Sequence, residues 1–198
     1  MADAERGTHE RLLNTAVHLL WERSYQGTSV DELCRKAGIR KGSFYHFFRS
    51  KADLAAAAID AAWRHTEQAV FAPIFGSDEG GMAQLERLID RVDEIQGANL
   101  KSRGLYLGCP FGNLGQEMAN VDEAIRQAVQ RVFARHCDYI EAALQRAGED
   151  RDIPPGDMHR RAEQVFALFE GALLMAKVAK DPALFRGIAA SVRAVAAA

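Results

Sequence analysis

The sequence predicts an all-α fold, and three observations support this. Almost every periodic segment repeats its apolar residues at three- and four-residue spacing. No run of alternating Val, Ile, Thr or aromatic residues indicates a strand. The 198 residues are 48% hydrophobic and 26% charged, with a formal net charge of -2, which is ordinary for a globular chain. This composition excludes collagen-like, low-complexity and highly charged proteins.

Helix boundaries follow from caps and breakers. Ser29 and Glu32 have capping-box spacing, and Gly38 closes the short helix that they open. Asp181 and Pro182 are typical of an N-cap and a first helical residue. The predicted helices span about 8–24, 29–38, 41–47, 50–70, 82–100, 121–147, 157–180 and 181–195. Breakers at 73, 76, 80 and 81 separate an N-terminal head from the body, and the glycine-rich stretch 102–120 is expected to be only partly helical.

The cysteines, histidines and apolar runs exclude several other classes. Cys34, Cys109 and Cys137 are too scattered for a disulfide framework or a zinc site. The six histidines show no ligand spacing, so we expect neither a metal nor a cofactor. No apolar run reaches the roughly 18 to 20 residues that cross a bilayer. We therefore expect a cytoplasmic protein with no membrane partner.

The charge is distributed unevenly along the chain. Residues 1–51 carry nine Lys and Arg against six Asp and Glu, a net charge of +3, whereas the remainder carries -5. A basic head on an acidic body suggests that the head binds a polyanion.

The second and third predicted helices, joined by a tight glycine turn, have the helix-turn-helix pattern. At 100° per residue, Phe44, Phe47 and Phe48 share one face of the third helix. Gly42 and His46 lie opposite. The face turned away from the core is therefore small, polar and aromatic, as contact with a DNA groove requires.

Further residues of the head favour DNA contact. Lys41 can donate to guanine, and Ser43, Tyr45 and His46 can donate to phosphate oxygens. Thr28, Ser29 and Lys51 lie at helix N-termini, where free N–H groups and the helix dipole favour a phosphate.

Residues 9–63, and above all 28–54, resemble the DNA-binding domain of the TetR/AcrR family of transcriptional regulators. The resemblance implies that Thr28, Ser29, Ser43, Tyr45 and Lys51 contact phosphate. It implies base-reading roles for the positions that match Arg40, Lys41, Gly42 and His46.

The same resemblance implies an all-helical homodimer with a four-helix interface and a body cavity for a small effector. Independently, residues 165–176 are apolar nearly all round, so this helix is expected to bury a second side against a partner subunit.

The body offers weaker signals. Residues 108–114 resemble a glycine–cysteine stretch in a branch of the family whose members include regulators answering to reactive electrophiles or small unsaturated compounds. Cys109 is either a sensor thiol or a small buried hydrophobe. Candidates to line an effector pocket, with core packing as the alternative for each, are Trp63, Phe71, Tyr106, Cys109, Phe111, Phe166, Phe169 and Met175.

These observations predict two domains, residues 1–54 for DNA binding and residues 55–198 for effector binding and dimerisation. The predicted function is a dimeric, ligand-responsive transcriptional repressor that binds a pseudo-palindromic operator in double-stranded DNA. The effector is a small molecule that the sequence does not identify. An activator of the same fold, a cysteine-dependent enzyme and a helical adaptor without DNA affinity are the alternatives.

Overall fold

The computed structural model describes the backbone of residues 2–198 and the side chains of residues 7–198. No strand occurs in the described range, which agrees with the predicted all-α class. The helices are Ala2–Arg23 (α1), Val30–Ala37 (α2), Lys41–Phe47 (α3), Lys51–Thr66 (α4), Ala72–Phe75 (α5), Gly81–Arg103 (α6), Pro110–Met118 (α7), Glu123–Glu149 (α8), Met158–Ala179 (α9), Ala183–Arg186 (α10) and Ala189–Ala197 (α11).

Contacts divide the chain into two compact units. The first contains the chain up to His65 together with Pro110–Val132, and the second contains Thr66–Cys109 together with Phe133–Ala198. The chain therefore passes between the units three times. The assignment of residues 1–54 to DNA binding and 55–198 to effector binding stays a prediction, because compactness does not assign a function.

The predicted caps of α2 are confirmed. The Ser29 Oγ accepts the Glu32 N–H at 3.1 Å, and Gly38 closes the helix in the left-handed region with φ 66°. A side chain at that φ would meet its own backbone, which is why glycine is favoured there. The two residues that follow Gly38 lead directly into α3.

The core of the first unit uses the predicted apolar stripes. Its most deeply buried apolar members include Leu12, Ala16, Leu33, Phe44, Leu54, Ala55, Trp63, Met118, Ile125, Ala128 and Val132. Cys34 is also buried, as its place in the stripe of α2 predicts. Removing a large apolar side chain of this kind from water contributes about 1.5–3 kcal/mol to the stability of the fold. The core therefore holds α1, α2 and α3 together.

The α-helix α4 ends at Thr66, before the predicted limit of about 70, but helical structure continues beyond that limit to Phe75. After Thr66 the chain forms a π-helical turn over Glu67–Phe71, in which the Ala72 N–H reaches the Glu67 carbonyl five residues back. Helical structure then continues through α5 in spite of Pro73. Proline has no N–H to give to an α-helical ladder, and a π-turn is where an ordinary ladder is interrupted.

In the second unit, α6 packs closely against α8. A Cβ placed on Gly81 would lie 1.8 Å from the Ala143 carbonyl oxygen, so no larger residue fits there without a backbone shift. In this unit α6 also contacts the π-helical turn Glu67–Phe71, α5, α10 and α11.

The predicted single helix over 181–195 is wrong. The helix begins at Ala183 with Pro182, not Asp181, at its N-cap, although the Asp181 Oδ1 accepts the Ala183 N–H at 2.9 Å. The helix then stops at Arg186 and resumes at Ala189. The interruption falls at Gly187, and glycine is the poorest helix former after proline.

Candidate nucleic-acid interface

Helix α3 is fixed to the first unit by aromatic side chains. Phe44 is fully buried and Phe48 is 5% exposed, and their ring centroids are 6.2 Å apart. Phe47 is half-buried. The His9 ring stacks on Phe48 at 5.2 Å and meets the edge of Phe47 at 5.6 Å. The predicted three-aromatic anchor is therefore present, with Phe47 at its margin.

The opposite face of α3 is open. Gly42 and His46 are exposed, and Tyr45 exposes 53% of its surface. No heavy atom lies within 4 Å of the position that a Cβ on Gly42 would take. Ser43 is half-buried and Arg40, which precedes the helix, is exposed. This face offers hydroxyl, imidazole and cationic groups around a position without a side chain, as a surface that approaches DNA closely needs.

Lys41 begins this face and already has an acidic partner. Its Nζ lies 2.8 Å from Asp31 Oδ1, and both side chains are more than half exposed. The hydrogen bond to Asp31 raises the pKa of Lys41, so the group stays cationic. An exposed pair of this kind contributes little to stability, so Lys41 can leave Asp31 at little cost.

The second group of residues predicted to contact DNA already forms hydrogen bonds within the protein. This group contains Thr28, Ser29 and Lys51. Thr28 has no exposed surface, and its Oγ1 donates to the Ser24 carbonyl at 2.9 Å. Ser29 is exposed, but its Oγ serves as the N-cap of α2. The Lys51 Nζ donates to the Tyr25 and Thr28 carbonyls at 2.9 Å each. The geometry places the three together around one turn, and their contact with phosphate stays a prediction.

The candidate effector residues fall into separate contact groups. Trp63 and Phe111 are buried in the first unit, with ring centroids 6.3 Å apart. In the second unit, Phe71 and Phe166 both contact the His136 ring, at 4.9 and 5.1 Å.

The remaining aromatic and methionine candidates lie elsewhere in the second unit. Phe169 meets the edge of Phe185 at 5.9 Å. Met175 is 60% exposed on the surface of α9.

The segment before α7 is held by a side chain that sequence reasoning missed. The buried Gln96 Oε1 accepts the N–H groups of Leu107 and Gly108 at 3.1 and 3.0 Å. Its Nε2 donates to the Gly108 carbonyl at 3.1 Å. Gln96 thus supplies Leu107 and Gly108 with the hydrogen-bond partners that a neighbouring β-strand would otherwise provide. The available signal was a polar residue on the apolar stripe of α6, eleven residues after Leu85.

Cys109 is half-buried and immediately precedes α7. Its thiol is hydrogen-bonded to Glu170 on α9. Burial raises the pKa of Glu170, and the hydrogen bond from Cys109 partly offsets that rise. The thiol therefore has an acidic partner on another helix of the second unit, which residues 108–114 alone did not reveal.

A cavity of about 510 Å³ lies in the second unit. It is lined by Glu86, Ile89, Asp90, Asp93, Glu94, Arg186 and Ala189, none of which the sequence singled out. The neighbouring Tyr106 hydroxyl is buried without a hydrogen-bond partner among the described residues. Burial, reinforced by the charge of Asp93, raises the pKa of Tyr106 to about 12.

The described part of the chain contains no group of three or more His, Cys, Asp or Glu residues that could hold a metal ion. None of its helices is both long enough and apolar enough to cross a membrane.

Comparison with known proteins identifies the family. Residues 12–58 match the model described as bacterial regulatory proteins, tetR family. Residues 85–191 match the model described as transcriptional regulator LmrA/YxaF-like, C-terminal domain.

Individual relatives agree with the family models. The transcriptional regulator AcuR of Cereibacter sphaeroides is 32% identical over 178 residues, which are 88% of this chain and 78% of AcuR. The HTH-type transcriptional repressor NemR of Escherichia coli is 28% identical over 181 residues, 89% of this chain and 87% of NemR. A crystal structure of the regulatory protein TetR from Rhodobacter sphaeroides has a TM-score of 0.84 at 27% identity, covering 95% of this chain and 98% of its own. These relatives are regulators, which does not support the alternative of a cysteine-dependent enzyme. The chain belongs to the TetR family of helix-turn-helix transcriptional regulators.

Proposed function

We propose that the protein is a homodimeric repressor that leaves its operator when a small molecule binds. The observation that carries the proposal is the open face of α3, with Gly42 and His46 exposed opposite the buried Phe44. A helix presented in this way enters a major groove, and two of them in a symmetric dimer meet a pseudo-palindromic site. The related NemR is named a repressor, which favours repression over activation.

The proposal assigns the contacts as follows. Arg40, Lys41, Gly42 and His46 read base edges, while Ser43 and Tyr45 contact phosphate. The turn that ends in Ser29, with Lys51 beside it, contacts phosphate through the N-terminus of α2. The Lys51 ammonium has three N–H groups, of which two donate to carbonyls, so one remains for a phosphate oxygen.

The dimer is proposed from the surface of α9. Leu174, Met175 and Val178 are 40%, 60% and 76% exposed, and Ala167 and Gly171 extend the same stripe. The stripe is apolar and lies opposite the buried face of the helix. Large exposed apolar patches mark interaction sites, and a second copy of this helix is a self-complementary partner. Sedimentation should give twice the 21.8 kDa of the chain.

The effector is proposed to act in the body, and Cys109 leaves two possibilities open. A sensor thiol would need solvent access and a lowered pKa. A noncovalent ligand in the second unit would need neither.

Footprinting on the DNA upstream of the gene, repeated with small acids, aromatic compounds and electrophiles, tests this function. We expect a protected palindrome that at least one compound releases. Release by an electrophile that Cys109→Ser abolishes would identify the sensor thiol, whereas alkylation without release would exclude it. A protein that retards no duplex at low salt contradicts the proposal.

Two lysine variants test the assigned contacts. Lys51→Ala should weaken binding to all sequences and reduce the salt slope by about one unit, because one phosphate contact is lost. Lys41→Ala should also change the sequence preference, because a base contact is lost. Equal losses on operator and random DNA for both variants would contradict these roles.

A further inference from the structure

The turn between α1 and α2, residues 24–28, leaves two of its own N–H groups unused. The Ser24 N–H donates to the Leu20 carbonyl at 3.1 Å and the Thr28 N–H to the Tyr25 carbonyl at 3.2 Å. The Gly27 N–H donates to the Ser24 Oγ at 3.3 Å. Only the successive N–H groups of residues 25 and 26 find no partner within the turn or its flanking helices.

Glu117 of α7 accepts both of these N–H groups. Its Oε2 lies 2.8 Å from the Tyr25 nitrogen and its Oε1 lies 2.8 Å from the Gln26 nitrogen. Hydrogen bonds to a carboxylate are short and strong, and successive N–H groups in a turn form a concavity that suits an anion. A residue more than ninety positions away therefore completes the turn.

Lys51 of α4 holds the carbonyl side of the same turn. Its Nζ donates to the Tyr25 and Thr28 carbonyls and lies 3.9 Å from the centre of the Tyr25 ring. A carboxylate on α7 and an ammonium group on α4 thus both hydrogen-bond to the backbone of one short turn. This turn leads directly into Ser29, the N-cap of α2.

We infer that Glu117 is a positioning residue for DNA recognition. Its carboxylate fixes the turn that presents Ser29, the N-terminus of α2 and Lys51 to the phosphate backbone. The inference rests on the proposed function, since it presumes that this surface meets DNA. It gives Glu117 a role opposite to that of an ordinary carboxylate in a DNA-binding unit, which repels phosphate.

The direction in which one substitution changes the affinity for DNA therefore tests this inference. Glu117→Ala should lower affinity for the operator by about tenfold or more, because two charge-assisted hydrogen bonds that order the turn are lost. Affinity for random duplex should fall as well, because the turn presents phosphate contacts, which carry no sequence information. Glu10→Ala is the matched control, since Glu10 is an exposed carboxylate on α1. Its removal should leave both affinities unchanged or raise them.

A conservative variant guards against misfolding. Glu117→Gln keeps one carbonyl oxygen as acceptor and loses the charge, so its operator affinity should lie between those of the wild type and Glu117→Ala. Unchanged or increased operator affinity in Glu117→Ala would overturn the inference. A melting temperature of Glu117→Ala far below that of the wild type would also overturn it, because the lost affinity would then reflect general loss of structure.

Amide exchange provides a readout that needs no DNA. The N–H groups of Tyr25 and Gln26 should exchange slowly in the wild type and in Glu10→Ala, and quickly in Glu117→Ala. Equal exchange in all three proteins contradicts the proposed clamp. Failure of the wild type to retain any duplex contradicts the proposed function instead, so the two failures are distinguishable.

Discussion

The surface of α3 and the interior of the body are built in different ways. On α3 one anchoring residue, Phe44, and one open residue, Gly42, are only two positions apart, and the helix wheel alone places them on opposite sides. In the body, Gly81 is determined by Ala143, which is on another helix. A functional face that is set by local periodicity can therefore be predicted from sequence, whereas a packing contact between distant residues cannot.

The largest expected effect is at the close contact in the body. Gly81→Ala should lower the free energy of unfolding by about 1–3 kcal/mol, because overpacking forces the backbone to shift. Gly97, on the same helix, has no neighbour within 4 Å of its Cβ position. Gly97→Ala should therefore raise stability by up to about 1 kcal/mol. Chemical denaturation measures both, and equal effects would show that the contact does not matter.

The same substitution on α3 should separate stability from function. Gly42→Ala meets no atom in the free protein, so its free energy of unfolding should stay the same or rise by up to about 1 kcal/mol. Operator affinity should nevertheless fall, because the added methyl group occupies space that the groove needs. Retardation of operator DNA checks this. Undiminished affinity would mean that DNA does not approach Gly42.

The smallest expected effect is a pH dependence on the surface of the body. The His159 Nδ1 lies 2.8 Å from Glu141, and the hydrogen bond and charge of Glu141 raise the pKa of His159. The pair therefore stabilises the folded state fully below the unfolded pKa of about 6.5 and loses its contribution as pH rises through the higher folded pKa. The melting temperature of the wild type should fall slightly more than that of His159→Ala between about pH 6 and pH 8.5. Parallel curves would show that the pair contributes nothing.

Local patterns predicted much of the fold. The limits of α3, the caps of α2 and the burial of Cys34 all follow from residues within one or two helical turns of each other. The candidate site was predicted to the same extent, because Lys41, Gly42 and His46 belong to one short helix whose buried face is identified by its aromatic residues.

The features that sequence missed depend on distant partners. Gln96 acts on Leu107 and Gly108, Glu117 on Tyr25, and Glu170 on Cys109. No spacing rule links residues that meet only after folding. The π-turn and the break at Gly187 were missed for another reason, since helix propensity shifts gradually along a chain and does not mark a single altered hydrogen bond.

The discontinuous first unit has a consequence for dissecting the protein. Because this unit draws on Pro110–Val132 as well as on the chain up to His65, a fragment truncated after Leu54 or His65 would lack Glu117. Such a fragment would keep every residue proposed to touch DNA yet lose the carboxylate that completes the turn before α2. Swapping N-terminal segments between relatives would therefore transplant the contact residues without their support, and a chimera should carry both stretches from the same parent.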